Sequence, residues 1–198
     1  IAVQSEGRLG GPSNCTLAEF LQEYACTVSV LKNGYTQEVN RINCYLEAAD
    51  MPRLKVETEG KVRRVMLNTQ ANSEAMTAYL EKVREPIEAI WELKAQMAHC
   101  LCSDLTRDDF AELMSQMATH GNSTSTIQKE IALIRAAFNT AIEDWGWSSF
   151  ENPAAKLKLG SSRTVIPKFS NKDIEVLFSL AESEHHLMMA PLVRLAVE

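Results

Sequence analysis

Four hydroxyl side chains in a row, Ser123-Thr124-Ser125-Thr126, stand just before an apolar stripe that begins at Ile127, with Lys129 one turn further on and Arg135 beyond it. At the start of a helix, such residues present hydroxyls together with free backbone N–H groups, which makes a natural phosphate site. Lys129 and Arg135 project within about 120° of each other at 100° per residue. Both lie off the stripe of Ile127, Ile131, Ile134 and Phe138, so the stripe can pack while a cation meets a groove. Lys32, Tyr35 and Arg41 form a comparable set on an earlier helix, and Lys156, Lys158 and Arg163 a third on a stretch of linker. The chemistry these sets could do is neutralisation of a phosphate backbone, with Ser123, Ser125 and Thr126 as further contacts. For any single Lys or Arg the plain alternative is a solvated helix face, and Arg135 can instead pair with Glu130 or Glu143.

Other chemistry finds little support. No Gly-rich phosphate loop, metal constellation or nucleophile–base motif is present. The five cysteines, Cys15, Cys26, Cys44, Cys100 and Cys102, are an odd and scattered set without CxxC spacing; they read as reduced thiols of a cytoplasmic protein. His185-His186 after Glu182 and Glu184 imitates a metal cluster, but adjacent histidines on a helix cannot face one ion. No metal or other cofactor is expected. Trp145 and Trp147 read as core or cover rather than as base-stacking platforms.

The elements that must position these residues follow from composition and pattern. The 198 residues, 45% hydrophobic and 23% charged, suit a soluble globular chain with a real core. No apolar run approaches the roughly 20 residues of a membrane span, and the first residues show no basic region followed by an apolar one, so neither a membrane nor a secretory protein is expected. The formal charge of −6 means that any nucleic-acid binding must come from local patches.

Residues 1–14, with three Gly, one Pro and two Ser, read as a flexible arm. Thr16 with Glu19 forms a capping box before a helix carrying Leu17, Phe20, Leu21, Tyr24 and Val28. Lys32-Asn33-Gly34 breaks the chain, since Asn-Gly favours positive φ. A second helix spans about Thr36 to Ala48, with Arg41 available to solvent. Residues 52–66 suggest a β-hairpin turning at Glu59-Gly60, with a surplus of three positive charges. Its Arg63-Arg64 fits backbone contact or edge protection equally. A helical stretch from about Asn72 to Cys100 is kinked or divided at Pro86. Thr106 caps a helix that ends at His120-Gly121-Asn122, and Ser123–Thr126 caps a longer one stopped by Trp145-Gly146-Trp147. Asn152-Pro153 opens a basic linker, and a further helix starts after Phe169-Ser170-Asn171. Another follows His185-His186.

The stretch from Leu105 to Lys158 carries a resemblance. Its order is Leu-Thr, a helix, His-Gly-Asn, then Ser-Thr-Ser-Thr-Ile-Gln-Lys-Glu-Ile-Ala-Leu-Ile-Arg-Ala-Ala-Phe-Asn-Thr-Ala, Trp-Gly-Trp and Glu-Asn-Pro-Ala. This resembles the core-binding domain of tyrosine recombinases, the phage-integrase family. Thr16 to Leu46, with its Thr-Leu-Ala-Glu-Phe start and Lys-Asn-Gly break, is similar to that domain's opening helices. Residues 163–182, opening Arg-Thr-Val-Ile-Pro-Lys-Phe-Ser-Asn-Lys-Asp-Ile, look like the linker and first catalytic-domain helix. Residues 51–96 depart from the compact pattern and read as an insertion.

The resemblance implies a mainly α fold, an orthogonal helical bundle of the integrase core-binding (SAM-like) type with a small β-hairpin inserted. Its implied divisions are an arm (1–14), a DNA-binding domain (15–158), a basic linker (159–170) and the first helices of a truncated catalytic domain (171–198). The family closes as a C-shaped clamp on double-stranded DNA, cuts and rejoins it through a phosphotyrosyl intermediate without metal or nucleotide cofactor, and assembles as a tetrameric synapse. Its catalytic motifs are expected beyond Glu198. Arg194 lacks the Thr-Gly turn that precedes the family's first catalytic arginine, so this polypeptide is not expected to cut DNA. The implied setting is the cytoplasm of a bacterium, with the protein host- or phage-encoded. Two rivals stand beside this reading: a protein-interaction or regulatory module of the same fold, suggested by net acidity and Met- and Ala-rich helices, and, less well supported, a helical enzyme domain.

Overall fold

The computed structural model describes residues 7–59, 62–68, 82, 85–158, 160 and 171–183. The chain divides into two compact units, residues 1–161 and 162–198. Among the described residues it is mainly helical with one two-stranded antiparallel sheet.

Helix α1, Leu17–Thr27, starts where its sequence caps it. The Thr16 hydroxyl accepts the Glu19 N–H at 3.3 Å, and the Glu19 carboxylate accepts the Thr16 N–H at 2.8 Å. Leu17, Phe20, Leu21 and Tyr24 recur at three- and four-residue spacing and are fully buried. A 3-10 turn, Ser29–Leu31, leads to α2, Tyr35–Ala48. The break expected at Asn33-Gly34 is there, but its cause differs: Gly34 has φ −89°, so no left-handed residue is needed. Side chains hold the turn instead, Ser29 and Lys32 both donating to the Glu38 carboxylate, at 2.6 Å and 3.0 Å.

The hairpin is formed by β1, Leu54–Glu59, and β2, Val62–Leu67, with Leu54 opposite Leu67 and Glu57 opposite Arg64. Two strands alone are marginal in water, and this pair is anchored at its base. The buried Asn43 amide donates to the Leu54 carbonyl at 2.9 Å and accepts the Leu54 N–H at 2.7 Å. A 3-10 turn, Glu85–Ile87, then precedes α3, Glu88–His99. Pro86 sits ahead of the α-helix, where its missing N–H costs nothing; Asn72–Leu80 of the expected helical stretch lie outside the described residues. Of the segment read as an insertion, the part that enters α3 is integral to the bundle: Ile90 and Lys94 are buried, as are Met97 and Ala98 just beyond the segment, and α3 packs on α1 and α2.

Helix α4, Arg107–Thr119, is capped by Thr106 and Asp109 and ends before Gly121, whose φ of +78° reverses the chain. Helix α5, Thr124–Glu143, is the longest among the described residues. Its Phe138 stacks on Phe20 at 4.8 Å and meets Phe110 edge-on. Gly146, at φ +81°, turns the chain between the buried Trp145 and Trp147.

Residues 7–14, read from sequence as part of a loose arm, are tied down on this turn. Arg8 N–H donates to the Trp145 carbonyl at 2.9 Å, and the Trp147 indole donates to the Arg8 carbonyl at 3.0 Å. A Cβ at Gly7 would stand 2.6 Å from the Trp145 oxygen, so only glycine allows that approach. In the second unit, α6 covers Asn171–Ser183 and starts where Phe169-Ser170-Asn171 predicted. The helix expected after His185-His186 lies outside the described residues, as does most of the basic linker.

Candidate nucleic-acid interface

The first half of α2 faces the first half of α5 across a gap. A cleft of about 270 Å³ between them is lined by Gly34, Gln37, Glu38, Arg41, Lys129, Ala132 and Leu133. Arg41 and Lys129, assigned from sequence to different helices, are brought together here. Lys129 is exposed. Arg41 is half-buried, donating to the Gln37 carbonyl at 3.2 Å, with its Nε 3.8 Å from Glu130 Oε2.

Glu130 was not singled out by the sequence reading except as a partner for Arg135, and the structure gives it other partners. It is 3% exposed, and its Oε1 accepts from Lys94 Nζ at 2.5 Å and from the Tyr45 hydroxyl at 2.9 Å. Lys94 Nζ also lies 4.6 Å from the centre of the Tyr45 ring. Burial, with the Glu130 charge beside it, raises the Tyr45 pKa well above the usual phenol value, so Tyr45 stays a neutral donor. A signal existed in the sequence: Ile127, Glu130, Ile131 and Ile134 keep helical spacing, so Glu130 falls on the buried stripe. Lys94 falls likewise between Ile90 and Met97.

The charge around the cleft is positive in sum. Glu130 is matched by Lys94, and Glu38 by Lys32, which leaves Arg41, though 3.8 Å from Glu130, and Lys129 as the surplus. Lys32 is thereby turned inward, against the expectation of an outward contact. It donates to the Tyr24 hydroxyl at 2.6 Å and lies 4.9 Å from that ring. Burial alone would lower its pKa; the bonds to Tyr24 and Glu38 outweigh this and raise it. Tyr35 shares a hydrogen bond with Thr58 at 3.0 Å and carries the Arg63 guanidinium 4.9 Å above its ring. Arg63 also donates to the Lys32 carbonyl at 3.2 Å, so the hairpin brings a cation to the start of α2.

At the head of α5, the Ser123 hydroxyl accepts the Thr126 N–H at 3.1 Å and pairs with the Thr126 hydroxyl at 2.9 Å. Those two hydroxyls therefore serve as the cap, while Ser125 is half-exposed. Arg135 does not join Lys129, nor does it pair with Glu130 or Glu143. Its Nε donates to the Ala154 carbonyl at 3.0 Å and its Nη2 to the Leu157 carbonyl at 3.2 Å. Asn152 donates to Asn139 at 2.7 Å and to the Arg135 carbonyl at 3.0 Å, and Gln128 donates to the Gly160 carbonyl. Residues 152–158 and Gly160 thus lie back along α5 toward its start, with Lys156 and Lys158 exposed. Arg163 lies outside the described residues.

A second cleft, of about 520 Å³, lies between the start of this strap and the start of α4, and it adds Arg107 beside Lys156. Among the described residues no group of three or more His, Cys, Asp or Glu is placed to hold a metal ion, and no helix is long and apolar enough to cross a membrane. Compared with family models, curated proteins and solved structures, the chain matches none.

Proposed function

We propose that this chain is the DNA-binding portion of a site-specific tyrosine recombinase, an orthogonal helical bundle that forms one jaw of a clamp on duplex DNA. The observation that carries the reading is the pairing of Arg41 and Lys129 across one cleft, in a molecule whose net charge is −6. Lys156 and Lys158 on the strap, and Arg163 beyond it, supply the next contacts. Ser123, Ser125 and Thr126 border a phosphate at the head of α5. Lys32, Tyr35 and Arg135 act behind these residues by holding the backbone that carries them. The intact enzyme cuts and rejoins DNA through a phosphotyrosyl bond and works as a tetramer on paired sites in the cytoplasm.

Affinity then comes chiefly from phosphate neutralisation. A salt series of binding to short duplex DNA, comparing this chain with a Lys129→Glu, Arg41→Glu variant, tests the reading. Binding that weakens steeply with salt, and further in the variant at unchanged helicity, supports it. Binding indifferent to both overturns it. The second reading, a protein-interaction module, is favoured by Leu31, which is 80% exposed on the 3-10 turn beside β2 and its exposed Val62. It predicts that Leu31→Ser, rather than the charge reversal, abolishes partner capture.

A further inference from the structure

Outside the cleft, two thiols far apart in sequence meet in the core. The chain ahead of α1 lies antiparallel to the link between α3 and α4. Thr16 faces Leu101, Leu17 N–H donates to the Cys100 carbonyl and Cys102 N–H to the Cys15 carbonyl, both at 3.0 Å. This register sets Cys15 opposite Cys102, with their sulfurs 3.9 Å apart. Cys15 and Cys102 share one of the two backbone bonds of a hydrogen-bonded antiparallel pair, in which Cα atoms stand about 5.5 Å apart, inside the range a disulfide spans. Closing the sulfurs to about 2.05 Å therefore needs side-chain rotation rather than backbone movement.

We infer that Cys15 and Cys102 are a redox modification site, forming a reversible disulfide that staples the entry of α1 to the α3–α4 link. The oxidant is a small hydroperoxide. The Cys15 thiolate attacks the peroxide oxygen, the O–O bond breaks, and hydroxide leaves a sulfenic acid on Cys15. The Cys102 sulfur then attacks the Cys15 sulfur, forming the S–S bond and expelling water. In total two thiols and one hydrogen peroxide give one disulfide and two waters. Contact with Cys102 draws the Cys15 pKa down, burial and Glu19 notwithstanding, while Cys102 is raised. Cys15, less enclosed than Cys102 at 2% against 0% exposed, is the nucleophile, and Cys102 the resolving thiol. The site is small and 2% exposed at Cys15, which favours peroxide over a bulky disulfide oxidant.

The test uses the full chain with the exposed Cys100 replaced, Cys100→Ser, so that surface oxidation does not confuse the count. Native protein is treated with hydrogen peroxide, denatured and titrated for thiols, and peptides are mapped without reduction. The expected result is loss of two thiols, one cross-linked peptide pair containing Cys15 and Cys102, and a melting temperature raised by roughly 5–10 °C that dithiothreitol returns. Adding Cys15→Ser or Cys102→Ser separately removes the cross-link. A full complement of thiols after treatment, or a link through Cys26 or Cys44, overturns the inference.

Discussion

Along α5 the early turns set charge against charge, Glu130 between Lys94 and Arg41, whereas the later turns set a cation against backbone, Arg135 on the carbonyls of Ala154 and Leu157. Both arrangements join distant parts of the chain, but they fail differently. Removing one partner of the early set leaves an uncompensated charge in the core. Removing Arg135 leaves two carbonyls that water can partly reach. The surplus cations of the early set stay near the cleft, while Arg135 has spent its guanidinium on the strap. A basic residue on one helix is therefore a ligand contact or an internal fastening according to what lies opposite it.

The sharpest way to break this comparison is Glu130→Ala. It is expected to cost about 3–5 kcal/mol, read from urea unfolding, because Lys94 is left buried and unpaired. Replacing both partners, Glu130→Leu with Lys94→Met, is expected to recover most of that loss; a double variant as unstable as the single one would show that packing, not charge, dominates. Next in size is Arg135→Ala, at about 2–3 kcal/mol for two charge-assisted bonds. Arg135→Lys should recover less than half, since an ammonium cannot fork to two carbonyls, and full recovery would deny the fork its role.

Lys129→Ala sharpens the comparison from the other side. Its stability should stay within about 0.5 kcal/mol of the parent, while the slope of log affinity for duplex DNA against log salt falls by about one. The smallest effect is alkaline. The folded-state pKa of Tyr24 is raised by burial, and that of Lys32 by its bonds to Tyr24 and Glu38. Both contributions are present below the unfolded-state values near pH 10 and are lost as pH rises through the folded ones. Melting temperature should decline above about pH 10, with Lys32→Met showing a shallower decline than the parent.

Elements with local instructions were legible in the sequence. Thr16 with Glu19, Thr106, and Gly121 each act within a few residues, and the helices begin or end where they stand. The hairpin followed from alternation and a Glu-Gly turn. The docking of Gly7 and Arg8 on the Trp145–Trp147 turn was not legible, because nothing near residue 7 in sequence signals a tryptophan pair so far along the chain. Of the candidate site, the pairing of Arg41 with Lys129 was half legible: each was picked as a cation off its helix's apolar face, but periodicity cannot tell which helix faces which. Arg135 and Lys32 have partners that were not legible, for the same reason. Their angular positions suited solvent, yet long side chains reach around a helix to carbonyls and hydroxyls that only the tertiary fold supplies.

The strap has a mechanical consequence. Residues 152–158 and Gly160 are cleated to α5 at Asn152, at Arg135 and at Gln128. Tension on the chain beyond Gly160 would load the single Gln128 bond first, then the Arg135 pair, and the Asn152 cleat last. Each release pays out line, and the whole strap, at up to 3.3–3.6 Å per residue, reaches at most roughly 30 Å when drawn straight.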